Sequence, residues 1–457
     1  MGESRPAVGT HCEASKLAYA GRLMVAGSEW RSGSRVPGTA EDESILTHDL
    51  FAEGSTMDAA TSRRAFLHSM GIGATALGLQ GTLQGQSPPI QGFEEVPADR
   101  TATQQWTPVS DRKVRVGIAG YGLCRFGAAF GFQNHPNVEV AAVTDLIPER
   151  CRALAQAVRC EKTYPSLEEM VQDDSLEAVF VATDAPGHAR HSIAALRHGK
   201  HVMCAVPAVF QHVEEGQELY DAVKQTGLKY QMAETSYFHA ANHAMRQLYK
   251  AGAFGRLVYS EGEYFHYNVQ TYDSYKDWRL GMPPQYYPTH SNAYYTGVTG
   301  KGFTAVSCIG FTNPLKYVGK DANRYGNPFS DEVALFETEE GAPCRMAVMW
   351  GVQGYHGEQG RVFGELGSFD YAYAGGTYKG TKKVDVSLDR PPLPPEVPAG
   401  GHGGSHGHLT HDFITAILED RQPLCDIDQA LAMSVAGIVA HQSAMQGGQR
   451  MSIPRFS

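Results

Sequence analysis

Residues 114–122 read VRVGIAGYG, a run of alternating β-branched residues that ends in two glycines, Gly120 and Gly122. This pattern predicts a strand that enters a tight turn and is followed by a helix. Such a turn lets a pyrophosphate approach the bare backbone, and the next predicted strand, VEVAAVTD, ends at Asp145. An acidic residue about 20 to 25 positions after the glycines commonly binds the adenosine ribose hydroxyls. The sequence therefore predicts a dinucleotide site; the alternative is a strand–helix–strand unit whose glycines only make the turn.

The glycine pattern departs from G-x-G-x-x-G at its third glycine. Position 125, where that glycine would fall, is Arg125, and the next glycine is Gly127. Because the third glycine allows close packing of helix on strand, we expect the helix either to begin differently or to point Arg125 outward, toward phosphate. The carboxylate of Asp145 would repel a 2′-phosphate and so favours NAD over NADP, although Arg150 weakens this preference.

Strand-like and helix-like segments alternate from residue 113 onward, with a first helix expected over 126–134. This alternation predicts an α/β fold that begins with a Rossmann-type, doubly wound parallel sheet over residues 113–236. Beyond that point helices become rare between strand-like runs, which predicts a C-terminal α/β domain over 237–457 with an open, mostly antiparallel sheet. The strand-like runs of that domain are residues 257–267, 303–311, 333–337, 345–353 and 361–373. Two closing helices, 412–419 and 429–445, are expected to pack back on the first domain.

Residues 1–56 lack sustained periodicity and are predicted to be a disordered extension upstream of the true start. Residues 57–85 contain SRRAFLHSMGIGATALGL, a twin arginine followed by a Gly/Ala-rich apolar stretch. This predicts a twin-arginine export signal and a periplasmic or other extracytoplasmic location; the alternative is a basic amphipathic helix. The apolar stretch is too short to span a bilayer, so no membrane span is predicted. Residues 86–112 are predicted to be a polar linker.

The net charge of −10 and the pI near 6.0 of this 457-residue chain argue against nucleic acid as a partner. Its eight cysteines are scattered, so we expect free thiols rather than disulfides or a zinc site. Four histidines in a glycine-rich segment, His402, His406, His408 and His411, have spacing that would allow a metal site. Because such a loop fixes geometry poorly without cysteine or clustered carboxylates, we predict no metal and a loop that closes over the substrate.

Ligands of open α/β sheets bind beyond the carboxyl ends of the strands. The predicted cofactor-binding residues are Gly120, Gly122, Leu123, Asp145, Thr183, His188, Val206 and Pro207. Alcohol oxidation needs a base for the hydroxyl proton while the hydride leaves, and Glu234, Tyr264 and His290 are residues of the required types. The predicted substrate contacts are Trp278, Arg279 and Tyr287. For any single one of these residues the alternative is ordinary packing or surface exposure.

Taken together, these segments resemble the Gfo/Idh/MocA oxidoreductases from about Val114 to the C-terminus, on VRVGIAGYG, Asp145, VFVATDAPGHARHS and GKHVMC. The resemblance implies a Rossmann domain joined to an α/β domain whose open sheet supports the substrate site and often mediates oligomerisation, so a homo-oligomer is expected. It also implies an NAD-dependent oxidoreductase that transfers hydride at a ring carbon of a small-molecule carbohydrate. Most members have Glu-Lys-Pro where this chain has Ala205-Val206-Pro207. The missing lysine argues against plain polyol dehydrogenation.

The segments VPA, MAETSY, GEYFH and YPTH are similar to those of glycoside hydrolase family 109, in which twin-arginine signals are common. That resemblance implies a redox-neutral alternative: tightly held NAD⁺ takes the C3 hydride of a glycoside, the aglycone is eliminated, water adds, and the hydride returns. Tyr264 would then be the base for the C2 proton, His290 would polarise or deprotonate the C3 hydroxyl, and Glu234 would bind sugar or cofactor. Thr235 replaces the asparagine of that family. A third alternative is a catalytically silent sugar-binding protein on the same scaffold.

Overall fold

The computed structural model describes residues 106–267, 274–312, 315, 323–355, 357–372 and 375–457, which belong to one compact unit. The predicted N-terminal extension, the predicted export signal and the linker up to residue 105 lie outside the described residues. No described helix has both the length and the apolar character needed to cross a bilayer. Every cysteine in the described part of the chain is a free thiol, as predicted.

The first sheet has six parallel strands and forms the predicted Rossmann-type half of the fold. Its strands are β1 Val114–Ala119, β2 Val138–Thr144, β3 Thr163–Tyr164, β4 Ala178–Val181, β5 His201–Cys204 and β6 Tyr230–Met232. Their spatial order is β3-β2-β1-β4-β5-β6, so the direction of winding reverses between β1 and β4. In such sheets the ligand binds at this switch point, beyond the carboxyl ends of the strands.

Five helices connect these strands and cover the two faces of the sheet. They are α1 Phe126–Ala129, α2 Pro148–Ala157, α3 Leu167–Met170, α4 His188–Arg197 and α5 Glu214–Thr226. The prediction of one helix over 126–134 is wrong, because α1 stops after four residues and a 3₁₀ turn follows at Phe132–Asn134. Gly131 between them has φ 75°, a left-handed conformation that cannot continue a right-handed helix.

The second sheet has eight strands and is mostly antiparallel, as predicted. Its strands are β7 Leu257–Phe265, β8 Phe303–Phe311, β9 Asp331–Thr338, β10 Pro343–Met349, β11 Gly357–Gly364, β12 Gly367–Ala372, β13 Gly375–Gly380 and β14 Met451–Ser452. Their order is β13-β12-β11-β7-β10-β9-β8-β14, and β7 and β10 pair in parallel. The run 361–373 was predicted as one strand; it belongs instead to the antiparallel pair of β11 and β12.

The helices after the first sheet are α6 Ala240–Lys250, α7 Thr289–Thr299, α8 Gly401–Gly404, α9 His406–Leu418 and α10 Ile427–Met445. The buried helix α7 packs on the inner face of the second sheet, where two glycines leave room for it. A Cβ at Gly262 would lie 2.1 Å from the carbonyl oxygen of Ser291, and one at Gly360 would lie 2.3 Å from the ring of Tyr294. This close packing holds the first turn of α7 next to β7 and β11.

The closing helices return to the first sheet, as predicted. The hydroxyl of Thr410 donates to the carbonyl of Phe130 at 2.7 Å, and the amide of Ala208 donates to the hydroxyl of Ser434 at 3.1 Å. The first of these helices begins at His406, six residues earlier than predicted (412 − 406 = 6), so most of the expected loop is helical. Burial of this segment against the first sheet overrides its glycine content.

Candidate active site

A cleft of about 360 Å³ opens at the carboxyl ends of the first sheet, at the switch point between β1 and β4. Seven of the eight predicted cofactor-binding residues line it: Gly120, Gly122, Leu123, Asp145, Thr183, His188 and Val206. Pro207 does not line the cleft, and its carbonyl oxygen lies 2.8 Å from Nδ1 of His188. Pro207 therefore contacts His188, which lines the cleft, rather than the cleft itself.

The glycine turn explains how the cleft forms despite the missing third glycine. Gly120 has φ +109°, and a Cβ there would lie 2.2 Å from the carbonyl oxygen of Ala182 on the neighbouring strand. A Cβ at Gly127 would lie 2.6 Å from the carbonyl oxygen of Gly120, so Gly127 provides the close approach of helix to strand that the third glycine normally provides. The helix begins after Arg125, which has φ 49° and lines the cleft.

The same turn offers hydrogen-bond donors to an anion. The backbone N–H groups of Gly122, Leu123 and Cys124 have no hydrogen-bond partner within the described residues. A Cβ at Gly122 would have nothing within 4 Å, so the backbone there is open to a ligand. Successive free N–H groups in a turn bind phosphate oxygens.

Asp145 is held at the far side of the turn. Its Oδ2 accepts a hydrogen bond from the backbone N–H of Tyr121 at 2.7 Å, and its Oδ1 accepts one from Ile147 at 2.8 Å. Each carboxylate oxygen keeps a lone pair that can accept a ribose hydroxyl. Open phosphate donors on one side and a fixed acceptor on the other fit a nicotinamide adenine dinucleotide.

The three catalytic candidates, Glu234, Tyr264 and His290, lie close together, although they come from segments next to both sheets. His290, in the first turn of α7, is 4% exposed, and its Nδ1 lies 2.8 Å from Oε1 of Glu234. Glu234 follows β6, is fully buried, and also accepts a hydrogen bond from the backbone N–H of Ser236 at 2.8 Å. The ring of Tyr264 on β7 packs against the ring of His290 with their centroids 4.6 Å apart. Thr235 adds a hydroxyl 3.3 Å from Nδ1 of His290.

The predicted substrate residues connect this group to the cleft. Trp278, Arg279 and Tyr287 all line the cleft. The ring of Tyr287 lies 5.5 Å from that of His290 and 6.4 Å from that of Tyr264. The guanidinium of Arg279 lies 4.2 Å from the ring centroid of Trp278, a cation–π contact that orients it. Glu234, Tyr264 and His290 do not themselves line the cleft; Tyr287, which lines it, lies beside the rings of Tyr264 and His290.

The surroundings of His290 favour its protonated form. Burial alone would lower the pKa of His290, but the carboxylates of Glu234 and Glu358 outweigh burial and raise it to about 9. Nδ1 faces Glu234, and Nε2 has no hydrogen-bond partner within the described residues. Burial raises the pKa of Tyr264 well above 10, so its hydroxyl remains protonated at neutral pH.

Glu358 and His239 were not predicted as site residues. Glu358, on β11, has its Oε2 3.9 Å from Nδ1 of His290 and 3.4 Å from Nε2 of His239. Among the described residues, the one side-chain group spaced to hold a metal ion is Glu234, His290 and Glu358, whose ligand atoms lie within 4.8 Å of one another. No sequence motif marked Glu358, because its approach to His290 depends on the pairing of β11 with β7.

The histidines of the glycine-rich segment do not converge. His402 lies beside the site, its ring nearly parallel to that of His290 at 6.2 Å, and its Nδ1 is 2.9 Å from Nε2 of His406. His406 stacks on a buried phenylalanine of the first domain at 4.4 Å, and His411 pairs with His135 at 3.1 Å. None of the four belongs to the metal-spaced group.

Comparison with known proteins shows which kind of domain contains the first sheet. A family model described as the oxidoreductase family with an NAD-binding Rossmann fold matches residues 114–234. This stretch of the chain is similar to the NAD-binding domain of the Gfo/Idh/MocA oxidoreductases. The first sheet therefore belongs to an NAD-binding Rossmann domain, in agreement with the glycine turn and Asp145.

Several curated proteins that are similar to this chain are named glycosyl hydrolase family 109 proteins. One from Porphyromonas gingivalis is 27% identical over 178 residues, which cover 36% of this chain and 38% of that protein. The match thus spans less than two fifths of that relative. One from Solibacter usitatus is 24% identical over 442 residues, which cover 87% of this chain and 97% of that protein.

A solved structure has the same fold. Levoglucosan dehydrogenase in complex with NADH and levoglucosan aligns with a TM-score of 0.63 and 20% identity, over 75% of this chain and 100% of that chain. The alignment covers 75% of this chain, whereas the NAD-binding match covers only residues 114–234. The structural likeness therefore extends past the first sheet.

Proposed function

We propose that this protein is an NAD-dependent oxidoreductase that removes a hydride from a ring carbon of a sugar or glycoside. The observation that carries the proposal is the Glu234–His290 pair, held at 2.8 Å and connected through Tyr287 to the cofactor cleft. NAD⁺ bound in the cleft would supply the hydride acceptor. The protein residues then have to bind the sugar, orient its hydroxyl and take the hydroxyl proton.

His290 is the base in this proposal. Its Nε2 takes the proton of the sugar hydroxyl as the C–H bond of the same carbon breaks, so that a ketone forms and the proton stays on the imidazole. Glu234 fixes the ring through Nδ1 and stabilises the imidazolium that results. Tyr264, protonated at neutral pH, donates a hydrogen bond to a substrate oxygen rather than acting as the first base.

Trp278, Arg279 and Tyr287 form the sugar-binding wall in this proposal. Aromatic rings pack on the apolar faces of sugar rings, and a guanidinium donates several hydrogen bonds to hydroxyl groups. The cation–π contact holds the guanidinium of Arg279 against Trp278, so it can serve as a fixed donor.

Net cleavage of a glycoside is the second candidate. It is favoured by Val206, which lines the cleft where most family members carry lysine, and by the relatives named glycosyl hydrolase family 109 proteins. In that reaction a C3 ketone would acidify the C2 proton, and the aglycone would leave. Tyr264 is then the candidate for the second proton transfer, although its raised pKa means that it must first lose its own proton.

One experiment tests the proposal and separates the two candidates. The purified protein is analysed by mass spectrometry for bound NAD and then mixed with sugars and aryl glycosides, with and without added NAD⁺. A dehydrogenase needs added NAD⁺ in proportion to product, whereas a net glycosidase releases aglycone with only its bound cofactor. Absence of NAD from the protein, together with failure to bind added NAD⁺, would contradict both.

We further propose that the chain self-associates through the outward face of the second sheet. Ile309 and Phe311 on β8 are each 63% exposed, and Leu335 on β9 is 53% exposed. Adjacent exposed apolar side chains on one sheet face are typical of an interaction surface. Light scattering of Leu335→Glu should give a smaller assembly than the native chain, and equal masses would contradict this surface.

A further inference from the structure

We propose that the sugar oxidised by this protein carries a carboxylate, and that Arg279 binds this carboxylate. The inference rests on the proposed function, because it names the class of sugar that would occupy the same site. The observation that carries it is an arginine of the cleft wall to which the described part of the chain offers no carboxylate partner.

The segment between β7 and α7 holds Arg279 in place. The backbone N–H of Arg279 donates to the hydroxyl of Ser274 at 3.0 Å, and the guanidinium lies 4.2 Å from the ring centroid of Trp278. The ring of Trp278 is buried edge-on against that of Phe210 at 5.7 Å, and its carbonyl accepts a hydrogen bond from the hydroxyl of Tyr325. The guanidinium therefore rests on a fixed aromatic surface before any ligand binds.

The charge of Arg279 is not neutralised by the residues around it. The side chains that act on its guanidinium are those of Cys124, Tyr264 and Tyr287, a thiol and two hydroxyls that are ordinarily neutral at neutral pH. An arginine keeps its proton under these conditions. The ring of Trp278 attracts the cation but does not cancel its charge. Because a partly buried charge is normally paired, the site can accept one negative charge from a ligand.

The carboxylates that line the same cleft do not pair with Arg279. Asp145 accepts two backbone N–H groups at the ribose side of the cleft, and Glu168 pairs with Arg190 at 2.6 Å. Asp184 also lines the cleft, but among the described residues it makes no ion pair with Arg279. The cleft thus leaves this arginine available to a negatively charged group of the substrate.

The position of Arg279 favours an anion on the sugar over a phosphate of the cofactor. Cys124 of the glycine turn is one neighbour of Arg279, but the open backbone N–H groups of that turn already provide donors for phosphate. The other neighbours are Tyr264 and Tyr287, and the ring of Tyr287 lies 5.5 Å from that of His290. A sugar that reaches His290 past Tyr287 therefore brings its substituents to the guanidinium. A carboxylate fits best, because the guanidinium fork binds it through two parallel hydrogen bonds.

The test compares neutral and acidic forms of the same sugars on the NAD⁺-loaded protein, with NADH followed by absorbance. The probes are methyl glucoside and methyl galactoside, the matching methyl uronosides, and the sulfate esters of the two glycosides. The native protein should oxidise at least one uronoside with a kcat/KM about 10-fold or more above that of its neutral counterpart. In Arg279→Gln this preference should disappear while NAD binding stays unchanged. Arg279→Lys, which keeps the charge but loses the fork, should show an intermediate preference.

Lys276→Gln is the matched control, because Lys276 is an exposed cation that lines the same cleft, with its ammonium 5.0 Å from the ring centroid of Tyr275. It should keep the preference for uronosides, since general attraction of anions to the cleft is not the cause proposed. If Arg279→Gln folds poorly, the preference of the native protein and the intermediate value of Arg279→Lys decide.

Four results would overturn the assignment of Arg279. They are a native preference for the neutral sugars, a native preference for the sulfate esters, an equal loss of preference in Lys276→Gln, and weaker NAD binding in Arg279→Gln with its preference intact. The last result would mean that the anion is a cofactor phosphate. Failure of the proposed function looks different, because then no sugar, neutral or acidic, would form NADH with the native protein.

Discussion

Nδ1 of His290 lies 2.8 Å from Oε1 of Glu234, although Glu234 follows the last strand of the first sheet and His290 lies in the first turn of a helix that packs on the second. The contact joins the NAD-binding domain to a helix that packs on the second sheet. Both side chains are buried, so water cannot take the place of the missing partner when one of them is removed.

Glu234→Gln should lower kcat by about 100-fold or more, because the amide keeps the size of the side chain but removes the charge that supports the imidazolium. His290→Gln should lower it at least as much, and both should retain bound NAD. The matched control is His441→Gln, which breaks the other buried glutamate–histidine pair, Glu332–His441. His441→Gln should lose stability, measured by thermal unfolding, without losing activity, measured by sugar oxidation. Equal losses of activity in all three variants would contradict the catalytic roles of Glu234 and His290.

The rate of sugar oxidation should rise with pH, reach half of its maximum near pH 9 and level off above that. The pKa of His290 is raised to about 9, so the neutral imidazole that can accept a proton is scarce at pH 7 and common above pH 9. The reverse reduction should show the opposite limb, because it needs the imidazolium. A kcat/KM profile whose limb lies near 6.5, the ordinary pKa of histidine, would count against this account.

The same raised pKa links stability to pH. Because the folded pKa of His290 lies above its ordinary value of 6.5, the pair adds stability that is fully present below about pH 6.5 and is lost as pH rises through about 9. Thermal unfolding measured between about pH 6 and about pH 10 tests this pH dependence of stability. The native protein should lose more stability than Glu234→Gln across that range; parallel curves would contradict the linkage.

Two glycines of the turn should respond differently to alanine. In Gly127→Ala the new Cβ would lie 2.6 Å from the carbonyl oxygen of Gly120, so about 1–3 kcal/mol of unfolding free energy should be lost. In Gly122→Ala the Cβ meets nothing within 4 Å, so stability should stay unchanged while NAD binding weakens. Thermal unfolding and NAD titration of both variants check this. Unimpaired NAD binding in Gly122→Ala would show that phosphate does not approach that residue.

We propose that the chain is exported by the twin-arginine route, on the basis of Arg63 and Arg64, which lie outside the described residues. Replacing both with lysine should keep the protein in the cytoplasm, because the export machinery reads the arginine pair. Cell fractionation of the native chain and the double variant measures this. Equal export of both proteins would contradict the proposal.

The Rossmann half could be predicted from sequence because its signals are local. The run before Gly120 and the distance to Asp145 both lie within one strand–helix–strand unit. The sequence showed that Arg125 occupies the position of the third glycine and that the next glycine is Gly127. It did not show the structural consequence of this change. Only the packing of Gly127 against the carbonyl of Gly120 shows that the same close approach is achieved from two residues further on.

The second half of the site was harder to predict because it depends on long-range pairing. Tyr264 and His290 could be selected by residue type and by resemblance, whereas Glu358 sits in an ordinary GEQG run. Its position beside His290 follows from its register opposite Tyr264, which the sequence pattern does not specify. The helix that begins at His406 was predicted to begin only at residue 412 for a related reason, since tertiary burial outweighs the low helix propensity of glycine there.

The most direct test is the NADH formed in a single turnover, followed by absorbance after the NAD⁺-loaded protein is mixed with a panel of sugars and glycosides. The native protein should form NADH with at least one member of the panel, and His290→Gln should form it at least about 100-fold more slowly with the same cofactor content. Equal rates in the two proteins, or no NADH from the native protein with any member of the panel, would contradict hydride transfer assisted by His290.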